Sequence, residues 1–285
     1  MNPKNLRLPL GSDDTMGIIG AGVMGKSLAR RLLAEGIVTP DQLWASAKSA
    51  ATCKRVSQEL GISVETNYQD RVPSTRLVVL CVKPVQIAGV AAYLRQAGLP
   101  PEALVISIAA GITTQQLGEL LETANPSVRA MPNTPCIVGE GTTVVCGGPH
   151  AGLEQIELAR RIFEAVGHCE IVDEGYFNAI TALSGSGPAY AYLIIEALAD
   201  AGVRVGLPRD LALRLISQTM LGATRMVQES GCHPAALRDD VTTPAGCTIA
   251  GLLMLEDGKI RSVLARAVEE AAAIAAQLGQ EEPPH

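Results

Sequence analysis

The chain has 285 residues, of which 47% are hydrophobic and only 3% aromatic, so it has enough aliphatic side chains for the cores of about two domains. Its formal net charge of −6 excludes the basic surface by which proteins bind nucleic acid. No window reaches ~18 uninterrupted apolar residues, and Lys4 and Arg7 precede no apolar segment, so we expect a cytoplasmic protein with neither a membrane span nor a signal peptide.

Strand and helix patterns alternate in the first half of the chain. After a flexible leader over 1–15, apolar segments typical of strands lie at 15–20, 42–47, 76–82, 103–109, 127–131 and 142–146. Helical patterns lie between them, at 23–35, 49–60, 86–97, 113–122 and 150–165. The segments 76–82 and 103–109 are apolar on both faces, which is typical of a sheet covered by helices. The alternation predicts an α/β fold, with a Rossmann-type doubly wound parallel sheet over 16–173.

Only helical patterns follow residue 173. They lie at 188–202, 208–229, 233–239, 246–256 and 258–278, after a loop that Gly185, Gly187 and Pro188 predict. The sequence therefore predicts a C-terminal all-helical domain over 174–285. Its helices are rich in Ala and Leu and poor in charge, which favours a dimerisation domain; a monomeric bundle is the alternative.

The first predicted strand is followed by a glycine-rich turn, Gly20-Ala21-Gly22-Val23-Met24-Gly25, which opens the first predicted helix. In a dinucleotide-binding turn the first glycine permits the tight bend, the second admits the pyrophosphate, and the third lets the helix pack close to the strand. The helix then points its N-terminal N–H groups at the phosphates. We interpret 20–25 as a cofactor loop; an ordinary glycine turn is the alternative.

The end of the second predicted strand distinguishes NAD from NADP in such a domain, because an acidic residue there binds the ribose 2′-hydroxyl. The segment 43–49 has no carboxylate. Instead, Ser46 can donate a hydrogen bond to a 2′-phosphate, and Lys48 can supply positive charge. We therefore predict NADPH as the cofactor, with NADH as the alternative.

Two further strand ends indicate the same site. In a doubly wound sheet, ligands bind beyond the carboxyl ends of the strands, so Lys83 is expected to face the cofactor while Pro84 fixes the turn. After the next strand the residues are small, and Ala109 and Ala110 leave room for a ribose or a nicotinamide. Close helix packing explains that second segment equally well.

The cysteines and histidines do not indicate a metal site. Seven cysteines form no C-x-x-C pair, and the four histidines are scattered. This pattern favours reduced, buried thiols over disulfides and predicts that no metal is bound.

Five motifs occur in order along the chain. They are Val82-Lys83-Pro84, 108–113 (IAAGIT), 131–135 (MPNTP), 183–190 (LSGSGPAY) and 233–248, which ends in TTPAGCT. Together they resemble pyrroline-5-carboxylate reductase over residues 16–278.

The resemblance implies a Rossmann domain with a helical dimerisation domain, and therefore a homo-oligomer. It also implies hydride transfer from NAD(P)H to the C5=N bond of a small cyclic imine, 1-pyrroline-5-carboxylate, giving L-proline in the last step of proline biosynthesis. Asn67 would lie at the 2′-phosphate end of the cofactor, with Val82, Lys83 and Pro84 along the nicotinamide ribose and Asn133 also at the cofactor. The implied substrate residues are Ser184, Gly187, Thr243, Gly246, Cys247 and Thr248.

Thr248 is the candidate catalytic residue. A protonated imine accepts hydride without covalent activation, so orientation does most of the work, and the Thr248 hydroxyl would hydrogen-bond the ring nitrogen. A helix N-cap is the alternative role for this residue. The backbone N–H groups of Gly246, Cys247 and Thr248, at the start of a helix, are expected to meet the substrate carboxylate.

The chain departs from the family pattern at two places. Ala245 stands where the family often has glycine, so it needs a negative φ or accepts strain. Gly231 and Cys232 precede His233, where some related enzymes carry a glutamate, so no role of that carboxylate applies to this chain.

Two other functions remain open. A 3-hydroxyacid dehydrogenase of the two-domain type would place a catalytic lysine where this chain has Ala191, so alcohol oxidation lacks its base. A non-catalytic NADP-binding regulator would share the scaffold, and the intact loop at 243–248 argues against it.

Overall fold

The computed structural model describes residues 8, 10, 11 and 13–278. Within them the chain forms two compact units. The first comprises the described residues up to Gly185 together with 271–278, and the second runs from Ser186 to Glu270. This division lies after the predicted domain boundary between 173 and 174, which stays a prediction.

The first unit is built on an eight-stranded sheet. Its strands are β1 (Thr15–Ile19), β2 (Leu43–Ser46), β3 (Ser63–Glu65), β4 (Thr75–Leu80), β5 (Leu104–Ser107), β6 (Ser127–Met131), β7 (Gly141–Gly147) and β8 (Gly167–Ile171). Their order across the sheet is β3-β2-β1-β4-β5-β6-β7-β8. Neighbouring strands are parallel except for β6 and β7. The predicted doubly wound α/β fold is confirmed.

The antiparallel pairing of β6 with β7 corrects the expectation of an entirely parallel sheet. The chain between them contains a short 3-10 turn, Thr134–Val138, instead of the crossover helix that a parallel connection needs.

The sequence patterns also miss both edge strands. β3 has three half-buried residues, and β8 buries only Cys169, so neither shows an apolar run.

Helices cover both faces of this sheet. They are α1 (Val23–Ala34), α2 (Ala50–Leu60), α3 (Ile87–Gln96), α4 (Thr114–Leu121), α5 (Leu153–Glu164) and the short α6 (Phe177–Ile180). Side chains of β4 alternate between the faces: Val79 belongs to the cluster that contains Leu28 of α1 and Phe163 of α5, whereas Val78 belongs to the cluster that contains Leu94 of α3. The strand is thus covered on both faces, as its apolar run predicts.

The described part of the predicted leader contacts the rest of the first unit. Leu8 is buried, and its N–H donates to the Ile37 carbonyl over 3.2 Å. The Asp14 carboxylate lies 2.8 Å from the Arg76 guanidinium, whose hydrogen bond lowers the pKa of Asp14. The flexible leader over 1–15 stays a prediction, and 1–7, 9 and 12 lie outside the described part of the chain.

The second unit is helical. It contains α7 (Gly187–Arg204), α8 (Arg209–Ser230), α9 (Pro234–Asp240), α10 (Cys247–Asp257) and the first half of α11 (Ile260–Leu278). Helices α7 and α8 form a hairpin in which a Cβ on Gly202 would lie 3.0 Å from the Ala212 side chain. No helix in the described ranges is both long and apolar enough to cross a membrane.

The predicted loop at 185–188 is wrong. Helix α6 continues into a π-helical turn, Thr181–Gly185, and α7 begins two residues later at Gly187. Pro188 fits there because the first N–H groups of a helix have no acceptor within it, so a missing N–H costs nothing. Glycine and proline therefore mark the start of α7 rather than a loop.

Candidate functional site

A cleft opens beyond the carboxyl ends of β1, β2 and β4. Its volume is about 950 Å³, open solvent at its mouth included. The sheet order places β1 between β2 and β4, which is the switch point where doubly wound folds bind ligands. The lining residues are Ile19, Gly20, Ala21, Gly22, Ser46, Ala47, Lys48, Thr52, Thr66, Tyr68, Cys81, Val82, Lys83, Gln86 and Val90.

The three glycines of the turn have separate structural reasons. Gly20 has φ +102°, and a Cβ there would lie 2.5 Å from the Cys81 carbonyl oxygen. A Cβ on Gly25 would lie 2.3 Å from the Gly20 carbonyl, so this residue allows α1 to pack close to β1. Gly22 is the N-cap of α1 and has open space where a side chain would be, which leaves the helix start accessible to a phosphate. These roles match those expected of a dinucleotide turn.

The end of β2 is tied to this turn. The N–H groups of Gly20 and Ala21 donate to the Ser46 carbonyl at 3.2 and 2.7 Å. Ser46 and Lys48 both line the cleft, and none of the described lining residues is Asp or Glu. The cleft therefore lacks the carboxylate that would bind a 2′-hydroxyl and offers groups suited to a 2′-phosphate.

One residue of the cleft, Tyr68, belongs to a cluster of three aromatic side chains. Tyr68 lines the cleft, and the Tyr68 ring lies 5.3 Å from the Trp44 ring and 4.6 Å from the Tyr93 ring. Burial, followed by the neighbouring Tyr93, raises the pKa of Tyr68 to about 12. The sequence interpretation misses this cluster because the three residues belong to separate elements and share no local pattern.

Asn67 lies between two lining residues, Thr66 and Tyr68. Its Oδ1 accepts hydrogen bonds from the Tyr93 hydroxyl at 2.6 Å and from the Gln69 N–H at 3.3 Å. Because both donors approach the oxygen, the amide nitrogen is left to act as a donor. This geometry suits the predicted position near the 2′-phosphate.

Val82 and Lys83 also line the cleft, and Pro84 starts a 3-10 turn beside it. Cys81 lies beneath them, where burial raises the pKa of its thiol to about 12 and keeps it neutral. Met24 instead lines a small apolar cavity with Leu28 and Phe163.

Several predicted cofactor residues are not among those that line the cleft. They are Val23, Met24, Gly25, Asn67, Pro84, Ala109, Ala110 and Asn133. Val23 is exposed at the start of α1, and Ala109 is buried after β5. Their contact with a cofactor stays a prediction.

Asn133 bridges two segments of the first unit. Its Nδ2 donates to the Ser184 carbonyl at 3.0 Å, and its Oδ1 accepts from the Thr142 N–H at 2.8 Å. Ser184 lies in the π-helical turn, and Gly187 is the first residue of α7.

The predicted substrate loop lies in the second unit, before α10. Gly246 caps α10, so the N-cap role considered for Thr248 is wrong: Thr248 is the second residue of the helix. The Gly246 N–H donates to the Thr243 carbonyl at 3.0 Å, which removes it from the donors expected for the carboxylate. The N–H groups of Cys247 and Thr248 stand in the first turn, where a helix provides no acceptor.

Ala245 has φ +56°, so it adopts the left-handed conformation that glycine tolerates best. Of the two possibilities left open by the sequence, a negative φ and a strained backbone, the structure has the second.

The prediction of reduced, buried thiols needs one correction. All seven cysteines are unpaired, but Cys232 and Cys247 are exposed rather than buried. In the part of the chain that is described, no three His, Cys, Asp or Glu side chains are grouped as metal ligands.

Comparisons with known proteins agree with this arrangement. Residues 174–278 match the family profile for pyrroline-5-carboxylate reductase dimerisation, and 15–111 match the profile for NADP oxidoreductase, coenzyme F420-dependent. The pyrroline-5-carboxylate reductase of Pisum sativum is 44% identical over 268 residues, which cover 93% of this chain and 96% of that protein. The chain belongs to the pyrroline-5-carboxylate reductase family.

Solved structures of pyrroline-5-carboxylate reductases have the same fold. The enzyme of Coxiella burnetii gives a TM-score of 0.86 at 34% identity, covering 94% of this chain and 99% of that one. The enzyme of Plasmodium falciparum, solved with NADP bound, gives 0.84 at 30% identity, covering 94% and 100%. The predictions of an NADP(H)-dependent oxidoreductase in this family are confirmed, and the dimerisation profile supports a homo-oligomer.

Proposed function

We propose that this chain reduces 1-pyrroline-5-carboxylate to L-proline with NADPH. The observation that carries the proposal is the cleft beside the glycine turn, with no carboxylate among its described lining residues, in a chain of this family. Ser46 and Lys48 would hold the 2′-phosphate, and the start of α1 at Gly22 would receive the pyrophosphate. NADH remains the weaker alternative because it has no 2′-phosphate for these groups.

The reaction adds a hydride to C5 and leaves the ring nitrogen with its proton. The bound nicotinamide supplies the hydride. Since a protonated imine is already electrophilic, the chain has to orient the substrate rather than activate it covalently. The N–H groups of Cys247 and Thr248 would hold the carboxylate, and the Thr248 hydroxyl would accept a hydrogen bond from the ring nitrogen.

A single assay distinguishes the candidate functions. Purified protein is mixed with NADPH and 1-pyrroline-5-carboxylate, and loss of absorbance by NADPH is followed together with the appearance of L-proline. We expect stoichiometric conversion, with a higher kcat/KM for NADPH than for NADH. Cofactor binding without turnover would favour the regulator, and oxidation of a 3-hydroxyacid would favour the dehydrogenase.

The assembly and location belong to the same proposal. A homodimer, as the minimum oligomer, would cover the apolar helices of the second unit, and the working location would be the cytoplasm. Neither nucleic acid nor a membrane is a proposed partner.

A further inference from the structure

Alternate residues along β6, continued to Asn133 just beyond its end, contact the segment that leads into α7. Arg129, whose side chain is 5% exposed, pairs with Glu174 at 3.1 Å and lies 4.4 Å over the Phe177 ring. Met131 is two residues after Arg129, and a Cβ on Gly185 would lie 2.9 Å from the Met131 methyl group. Asn133 is two residues after Met131, and its side chain donates a hydrogen bond to the Ser184 carbonyl. Residues two apart share one face of an extended strand, so these contacts form one continuous surface.

Side chains of the π-helical turn donate hydrogen bonds to carbonyl groups one turn earlier in the chain. The Thr181 hydroxyl donates to the Phe177 carbonyl at 2.7 Å, and the Ser184 hydroxyl donates to the Ile180 carbonyl at 3.1 Å. In an α-helix the Ser184 carbonyl would accept from residue 188, but Pro188 has no N–H. Asn133 Nδ2 supplies the missing donor.

Both the oxygen and the nitrogen of the Asn133 amide make hydrogen bonds to backbone. Its oxygen accepts from the first residues of β7 at Thr142, and its nitrogen donates to the turn. A side chain held at both ends is suited to fix backbone rather than to contact a ligand. Wide helical turns of this kind occur often at functional sites.

We propose that Asn133 is a positioning residue, which fixes the Ser184 carbonyl and thereby the turn at 181–185, instead of binding the cofactor itself. The consequence for turnover rests on the proposed function, in which Ser184 belongs to the substrate site. The effect on the turn does not depend on that function.

The diagnostic variant is Asn133→Asp. A carboxylate keeps an acceptor for the Thr142 N–H but loses the donor to Ser184 and places an oxygen against that carbonyl. We expect kcat/KM for the imine to fall roughly tenfold or more, as small misplacements of reacting groups do. The Kd for NADPH, measured by fluorescence, stays unchanged, and hydrogen exchange of the 177–185 amides becomes faster.

The matched control is Asn125→Asp. Asn125 is buried before β6, at the opposite end of that strand from Asn133, and its Nδ2 donates to the Pro100 and Ala103 carbonyls at 2.7 and 2.9 Å. We expect this variant to lower Tm and leave kcat/KM and exchange at 177–185 unchanged.

Three results separate the possibilities. A weaker Kd for NADPH with unchanged exchange would mean that Asn133 binds the cofactor, and equal losses of activity in both variants would mean general destabilisation; either overturns the inference. If the unaltered protein does not reduce the imine, the proposed function fails, while faster exchange in Asn133→Asp alone would still support the role of Asn133.

Discussion

Thr248 is placed one residue past the start of α10, and its side chain is half-buried. Because Gly246 already caps the helix, the Thr248 hydroxyl is not needed for capping. We expect Thr248→Ala to lower kcat/KM for the imine by roughly 10- to 100-fold, the range for a hydrogen bond to a charged group of about 1.5–3 kcal/mol. Thr248→Ser keeps the hydroxyl and most of the activity.

The control for Thr248 is Thr219→Ala in α8. The Thr219 hydroxyl donates to the Leu215 carbonyl of its own helix, so its loss removes a local contact only. Steady-state kinetics at saturating NADPH measure all three variants. Unchanged kcat/KM in Thr248→Ala would remove Thr248 from the proposed mechanism.

At the scale of single residues, we expect Tyr93 to affect the choice between NADPH and NADH. Its hydroxyl and the Gln69 N–H hold the Asn67 oxygen, so the Asn67 nitrogen is turned to donate. We expect Tyr93→Phe to raise KM for NADPH by roughly 2- to 10-fold, the range for a net hydrogen bond of about 0.5–1.5 kcal/mol, and to change KM for NADH less. Tyr176→Phe, at an exposed tyrosine of the same unit, serves as the control. Equal changes for both cofactors would place Asn67 away from the 2′-phosphate.

At the scale of elements, the connection into α10 carries a strained residue. The left-handed φ of Ala245 disfavours a side chain, and glycine removes that cost. We expect Ala245→Gly to raise the free energy of unfolding by up to about 1 kcal/mol, because the greater freedom of glycine in the unfolded chain offsets part of the gain.

The same substitution inside α10 has the opposite sign. Ala250→Gly places glycine in a helix interior and should destabilise by about 1 kcal/mol. Thermal or urea unfolding of both variants measures the difference. A loss of stability in Ala245→Gly would mean that the left-handed conformation is not strained in the folded protein.

The elements themselves were predictable to different degrees. Strands β1, β4 and β5 and the helices between them follow from apolar runs and helical periodicity, which are local properties. The edge strands β3 and β8 did not follow, because their residues are stabilised by pairing with a neighbouring strand rather than by burial. The antiparallel pairing of β7 with β6 did not follow either, because the alternation of strand and helix patterns does not reveal strand direction.

On the scale of the whole molecule, the second unit carries an apolar exterior. Leu253, Met254 and Leu255 follow one another in α10 and are 57%, 70% and 45% exposed in the single chain. Successive helical residues point in different directions, so α10 is apolar around much of its circumference. A second copy of the chain would bury such a surface, in agreement with the dimerisation profile.

A matched pair of leucines tests this assembly. We expect Leu253→Glu to lower the mass found by light scattering, because a charge would have to be desolvated in the interface. Leu153→Glu, at an 86% exposed leucine in the first unit, should leave the mass unchanged. A full-size oligomer for Leu253→Glu would show that α10 is outside the interface.

The sequence by itself determined the alternating fold, the dinucleotide turn at 20–25, the likeness to the family and the helical second half. These depend on periodicity, on turn chemistry and on motifs that are each a short continuous segment of the chain. Only the tertiary structure decided the burial of Leu8, the aromatic cluster around Tyr68 and the bond from Asn133 to Ser184. Each of these joins residues that are distant in sequence, and such contacts leave no local pattern because folding, not spacing, brings them together.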